Sequence, residues 1–209
     1  MLDYTEYTKF LIGLIAIVNP IGVIPVFLAL TADLYPQERR RIINMSVVAV
    51  ASILLISLLF GEILLEFFGI SINSFRVGGG ILILLMAIGM MHAKSEPKAA
   101  KESYQADDRD SIAVVPLAIP LLAGPGAIST VIIEAHRGSS VMHYSILAGD
   151  ILVIAALLWA VFQLTPWISR HLSVMGMTIV TRIMGLLLAA IAIEFIANGL
   201  KGLFPSLAA

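Results

Sequence analysis

Six apolar runs dominate the chain, at about Phe10–Leu30, Ile42–Gly61, Phe75–His92, Ile112–Ile133, Ser145–Leu164 and Ile179–Asn198. Each approaches the ~20 residues that an α-helix needs to cross ~30 Å of hydrocarbon. Inside a bilayer no water satisfies backbone N–H and C=O groups, so a run of this kind has to be a helix. Composition agrees. The sequence is 59% hydrophobic and only 13% charged, with a mean hydropathy of +0.99, far from the roughly 25% charged residues of a soluble domain. The expected fold is an all-α membrane protein of six transmembrane helices. The second run continues in apolar character through Leu64, Leu65, Phe67 and Phe68 to turn signals near Gly69 and Asn73, which fits either a long tilted helix or an interfacial extension.

Two of these runs are interrupted. Val18-Asn19-Pro20-Ile21-Gly22-Val23-Ile24-Pro25 breaks the first, and Ala118-Ile119-Pro120-Leu121-Leu122-Ala123-Gly124-Pro125-Gly126-Ala127 breaks the fourth. Proline removes a backbone donor and clashes with the preceding turn, so each break leaves carbonyls unpaired where lipid cannot serve them. Such backbone persists only against protein or a water-filled cavity. Paired breaks in two halves of a membrane chain point to a transporter's substrate site near the midplane.

The halves also match. A shift of 105 residues sets Asn19-Pro20-Ile21-Gly22 on Gly124-Pro125-Gly126-Ala127, and a shift of 106 sets Arg76-Val77-Gly78-Gly79 on Arg182-Ile183-Met184-Gly185. A unit of three spans is odd, so the second copy enters from the opposite face. The expectation is two inverted-topology three-helix repeats, residues 1–92 and 111–209, joined by a charged cytoplasmic linker at 93–110. Spans two and five align poorly.

Lys and Arg set the orientation. Arg39, Arg40, Arg41, Lys94, Lys98, Lys101, Arg109, Arg170 and Arg182 fall on the linker side, against Lys9, Arg76, Arg137 and Lys201 on the other. Nine against four makes the linker side cytoplasmic, which puts both termini outside and the protein in the cytoplasmic (inner) membrane. The acidic start, Met1-Leu2-Asp3-Tyr4-Thr5-Glu6, gives no expectation of a cleavable signal. A net charge of −1 offers no basic field for nucleic acid. Absence of cysteine excludes disulfides, thiol catalysis and thiolate metal sites.

The N-P-I-G-x-I-P-x-F-L run from Asn19 to Leu28 and the P-L-A-I-P-L-L-A-G-P-G-A-I-S-T run from Pro116 to Thr130 resemble the signature segments of the MarC family, which includes SnatA-type small neutral amino-acid transporters. The resemblance covers nearly the whole chain, with its six-span layout and charged central loop. Similarity to the wider superfamily of LysE-like exporters implies a three-plus-three inverted arrangement and leaves transport direction open.

The breaks themselves suit a zwitterion. A half-helix starting at Pro20 or Pro125 aims unpaired N–H groups and the positive end of its dipole into the centre, where a carboxylate can sit. Carbonyls before the break, with Asn19, Ser129 and Thr130, can accept from an ammonium or help coordinate a small cation. Gly22, Gly124 and Gly126 allow close approach and leave little room for a large solute side chain. Kinking and helix packing are the alternative use of the same residues.

Intramembrane acids add coupling candidates. Glu194, within Ile191-Ala192-Ile193-Glu194-Phe195, should face the bundle, because a charge at the bilayer centre costs ~2.5–3.5 kcal/mol or more. It is either a proton or cation site or the partner of a basic residue. Asp150 has the same two readings. Arg76 and Arg182 begin corresponding helices, where they either gate by pairing with acids or snorkel to the interfaces. Glu62, Glu66, His92 and His143 are expected at the interfaces.

No H-E-x-x-H, G-x-S-x-G or G-x-x-x-x-G-K-[ST] motif occurs, so neither an enzyme nor a cofactor or metal is expected. The sequence therefore predicts a secondary transporter of small neutral amino acids such as glycine or alanine, coupled to H⁺ or Na⁺, with self-association open. An exporter of amino acids or small metabolites is the alternative, and a channel or non-transporting membrane subunit the alternative of another class.

Overall fold

A computed structural model describes residues 4–31, 34–92, 122–171 and 174–208. Its elements are α1 (Tyr4–Val18), α2 (Pro20–Leu30), α3 (Pro36–Phe67), α4 (Ile72–His92), α5 (Pro125–Ala135), α6 (Val141–His171), α7 (Val174–Leu203) and a closing 3-10 turn at Pro205–Ala208. No strand occurs among the described residues. The linker at 93–110 and the first part of span four, through Leu121, lie outside them.

Local chemistry sets the boundaries. Asn19 adopts the left-handed conformation, φ 49° and ψ 63°, and separates α1 from α2, with Pro20 at the first helical position. Pro36 opens α3, where Glu38 Oε2 accepts the Tyr35 backbone N–H at 3.0 Å. At the far end Gly69, with φ 65°, turns the chain back as its N–H donates to the Glu66 carbonyl at 3.0 Å. The 32 residues of α3 amount to about 48 Å at 1.5 Å per residue, so the second span is one long continuous helix.

Five stretches are long and apolar enough to cross a membrane: Tyr4–Ile24, Pro36–Phe67, Ile72–His92, Val141–Trp167 and Thr178–Leu203. The remaining expected span is represented by α5, a shorter apolar helix. Large apolar side chains also coat the outside, among them Ile56, Phe60 and Ile63 on α3 and Leu186 and Ile193 on α7. Such a surface suits hydrocarbon.

The most extensive interface joins α4 to α7, and glycine makes it possible. A Cβ on Gly80 would lie 2.9 Å from the Ala192 carbonyl oxygen, one on Gly185 would lie 3.1 Å from that of Ala87, and one on Gly199 would lie 2.9 Å from that of Asn73. Close backbone approach of this kind lets dispersion hold helices together where lipid offers no hydrophobic contrast. Elsewhere α3 packs on α6 and α5, and α1 on α5 and α6. The buried centre includes Leu14, Val18, Phe27, Leu54, Ile83, Leu147, Ile151, Ile154 and Phe162.

Candidate functional site

Both breaks pack against α4; Ile21 and Pro125 are exposed, and the other described residues of the two breaks are buried or partly so. Asn19 is 5% exposed. Its N–H donates to the Ile15 carbonyl at 2.9 Å and ends α1, while its Oδ1 accepts the Gly22 N–H at 3.2 Å and caps α2. The amide Nδ2 is 3.5 Å from Met90 Sδ on α4. Pro20 is buried. A Cβ on Gly22 would collide with the Asn19 side chain, so this glycine keeps the cap in place.

The second break is built differently. Gly124 precedes α5 in an extended conformation and provides no side-chain cap, with Pro125 at the first helical position. The Gly124 carbonyl accepts from Ile128 N–H at 3.1 Å. The first N–H groups of a helix have no intrahelical acceptor, and here they belong to Gly126 and Ala127, both buried. A Cβ on Gly126 would sit 2.5 Å from Ile83 Cγ1 and 3.3 Å from Ile17 Cγ2. Ile17 lies two residues before Asn19, so the start of α5 packs beside the end of α1. Ser129 is buried against Gly79. Thr130 is buried too, and its hydroxyl donates to the Gly126 carbonyl at 2.8 Å while keeping lone pairs to accept with.

The break residues thus meet α4 at Gly79, Ile83 and Met90. From Ile83 to Met90 is about 10 Å along a helix. The two starts are not equivalent, because Asn19 already satisfies α2, whereas α5 presents its positive end without a side-chain cap.

The charged candidates lie on α4, α6 and α7. Asp150 is half-buried on α6, and its Oδ2 is shielded from solvent without a hydrogen-bond partner. Glu194 was expected to face the bundle and instead is exposed, with its Oε1 accepting from Asn198 Nδ2 at 2.8 Å one turn later on the same face. The inward side of α7 is occupied by Gly185, Leu188, Ala192 and Gly199, which seat the α4 interface. Arg182 is also exposed. Arg76 is half-buried at the start of α4, within coulombic reach of Arg137 and Glu134.

Those last two belong to a polar network that the sequence reading did not assemble. Glu134, 8% exposed at the end of α5, accepts from Arg137 Nη1 at 3.1 Å, and Arg137 Nη2 reaches Glu6 Oε2 at 2.8 Å on α1. Burial lowers the affinity of the Arg137 guanidinium for its proton, but hydrogen bonds to Glu6 and Glu134 and the charges of both acids reverse this and hold it above the ordinary value. His143, expected at the interface, is 2% exposed. It links Tyr7 Oη at 2.9 Å to the Glu134 carbonyl at 3.0 Å. Burial follows because both ring nitrogens find partners on neighbouring helices. The signal was present as a charged Glu134-Ala135-His136-Arg137 end to an apolar run, yet its partners at Glu6 and Tyr7 are more than a hundred residues away. Glu62 does sit at the rim, where His136 Nδ1 contacts it at 2.5 Å. Among the described residues no three His, Asp or Glu side chains gather as a metal site.

Apolar helices of spanning length, an apolar exterior and an interrupted backbone sheltered at the centre define a polytopic helical membrane protein. The family model for MarC family integral membrane proteins matches residues 4–204, and the chain belongs to that family. It is 45% identical to the UPF0056 membrane protein YhcE of Escherichia coli over 98% of this chain and 96% of the relative. It is 37% identical to YvbG of Bacillus subtilis over 94% of each, and 39% identical to MJ0972 of Methanocaldococcus jannaschii over 94% of this chain and 87% of that one. No solved structure matches the chain.

Proposed function

We propose that this protein is a secondary transporter of small neutral amino acids such as glycine or alanine, driven by an H⁺ or Na⁺ gradient in the cytoplasmic membrane. The observation that carries the reading is the start of α5: a helix N-terminus without a side-chain cap whose first N–H groups, on Gly126 and Ala127, belong to buried residues, packed beside the other break while Pro125 itself is exposed. A carboxylate there gains the N–H groups of Gly126 and Ala127 and the positive helix end. Ser129 and Thr130 supply oxygens for the ammonium. Ile17 and Ile83 crowd the approach, which favours a solute with little side chain.

The pairing of helices supports an inverted repeat in two of its three pairs, since α3 contacts α6 and α4 contacts α7, while α5, the counterpart of α2 by the 105-residue shift, packs on α1, the other half of span one. For coupling, the candidate is the half-buried Asp150, whose unpaired Oδ2 can take up a proton or contribute to a cation site; Glu134, more deeply buried, is already paired with Arg137. Glu194, on the outer face with Asn198, is the poorer candidate.

Purified protein in liposomes tests this with labelled glycine and alanine under separately imposed H⁺ and Na⁺ gradients. Saturable, gradient-driven accumulation is expected. Asp150→Asn should abolish accumulation and spare exchange, whereas Glu194→Gln should leave accumulation near wild type. Absence of saturable flux of either amino acid, in either direction, overturns the reading.

A further inference from the structure

At the linker-side end of the bundle a second unsatisfied group stands out. Arg39, in the first turn of α3, lays its guanidinium over the Phe27 ring at 5.0 Å from Cζ to centroid. Phe27, on α2, stacks in turn on Phe162 of α6, with centroids 4.7 Å apart. Both rings are fully buried. The stack fixes the plane of the guanidinium through cation–π attraction and leaves its edges for hydrogen bonding.

One edge has no acceptor. Arg39 Nε and Nη2 are both shielded from solvent and without a hydrogen-bond partner. These two N–H groups point the same way along one side of a guanidinium, with the spacing of two carboxylate oxygens, and form the side-on fork that binds a carboxylate bidentately. Arg39 as a whole is part-buried, but these two adjacent donors are out of contact with water, and an unpaired charged donor in that state is costly. A cation in the first turn also opposes the helix dipole, which an anion at that place would relieve. The two donors are covered in this conformation, so a carboxylate oxygen reaches them only when the side chains over that edge move aside.

We propose that the Arg39 edge is a carboxylate-binding station at the linker-side mouth, on the path of the solute to the broken helices. Phe27 lies seven residues after Pro20, about 10 Å along α2, so a carboxylate held at Arg39 waits roughly two turns from the central break. The identity of the carboxylate as that of the amino acid rests on the transport reading above. The basic side of the protein is where a cytoplasmic solute would enter or leave.

The test uses full-length protein in phosphatidylcholine nanodiscs, labelled with ¹⁵N at arginine, with the Arg39 Nε–H resonance assigned by its disappearance in Arg39→Lys or Arg39→Gln. Acetate and alanine should each shift this resonance downfield and saturably, and alaninamide, which lacks the carboxylate, should not. In liposomes Arg39→Lys keeps the charge but loses the fork, so KM for alanine offered from the linker side should rise about tenfold or more. A resonance that ignores both carboxylates overturns the proposal. So does one that moves only when phosphatidylglycerol is added, which would assign the edge to a lipid phosphate. Carboxylate binding at Arg39 without any flux would sink the transport reading alone, and flux with an unresponsive resonance would sink this one alone.

Discussion

Asn19 holds two jobs that are hard to combine in another residue. It takes up a left-handed backbone, which costs an ordinary L-residue about 1–2 kcal/mol, and its side-chain oxygen caps the helix that follows. Glycine could supply the first and alanine neither. Asn19→Gly should therefore cost only a few tenths of a kcal/mol and Asn19→Ala about 2 kcal/mol, from the lost cap together with the backbone strain. Thermal unfolding of both variants in the same detergent checks the order. Equal destabilisation would mean that the amide's contact with Met90, lost in both, outweighs the backbone. The same pair bears on transport: if Asn19 acts only as the cap, the glycine variant keeps the KM for alanine, whereas a direct solute contact would be lost in both.

At the scale of elements, the short α5 is held at its two ends by different forces. Its start is packed by apolar contacts with Ile17 and Ile83, and its end is tied by Glu134, Arg137 and His143 to α1 and α6. Removing Arg137 leaves Glu134, with only 10% of its side chain exposed, without its cationic partner. Arg137→Ala should cost about 2 kcal/mol, less than the roughly 3–5 kcal/mol of a fully buried pair because Arg137 itself reaches solvent. Lys9 also pairs with Glu6, at 2.9 Å, but its side chain is 68% exposed, so Lys9→Ala should change stability by less than about 1 kcal/mol. Comparable losses in the two variants, measured by thermal unfolding, would show that the ends of α1 and α5 are not joined through Arg137. High salt should narrow the difference only slightly, since the buried partner is poorly screened.

For the whole molecule, helix α4 is the spine on which the rest is arranged. It presents Gly79, Ile83 and Met90 to the breaks and Gly80 to α7. The charge asymmetry, nine basic positions on the linker side against four on the other, predicts the orientation of this assembly. Reporters fused after Ser103 and at the C-terminus should therefore report opposite sides, the former cytoplasmic. Both reporters on one side would require an odd number of crossings between them to be abandoned and would overturn the inverted arrangement with it.

The apolar runs and the Asn-Pro and Gly-Pro interruptions determined the helical class and the first break, because helix geometry inside hydrocarbon is a local obligation that each segment meets alone; the choice between a long second helix and an interfacial extension was made only in the structure. They also placed Pro125 at the start of a half-helix, since a missing N–H acts at its own position. What faces what was decided only by tertiary structure. Ile191-Ala192-Ile193-Glu194 looks inward-bound by the cost of its charge, yet Gly185, Ala192 and Gly199 claim the packed side of α7 and Glu194 takes the opposite face with Asn198. The burial of His143 and Glu134 and the Arg39–Phe27–Phe162 stack likewise depend on partners from distant segments. Hydrophobic length is read along one helix, whereas the partner of a buried charge is chosen by the way helices cross.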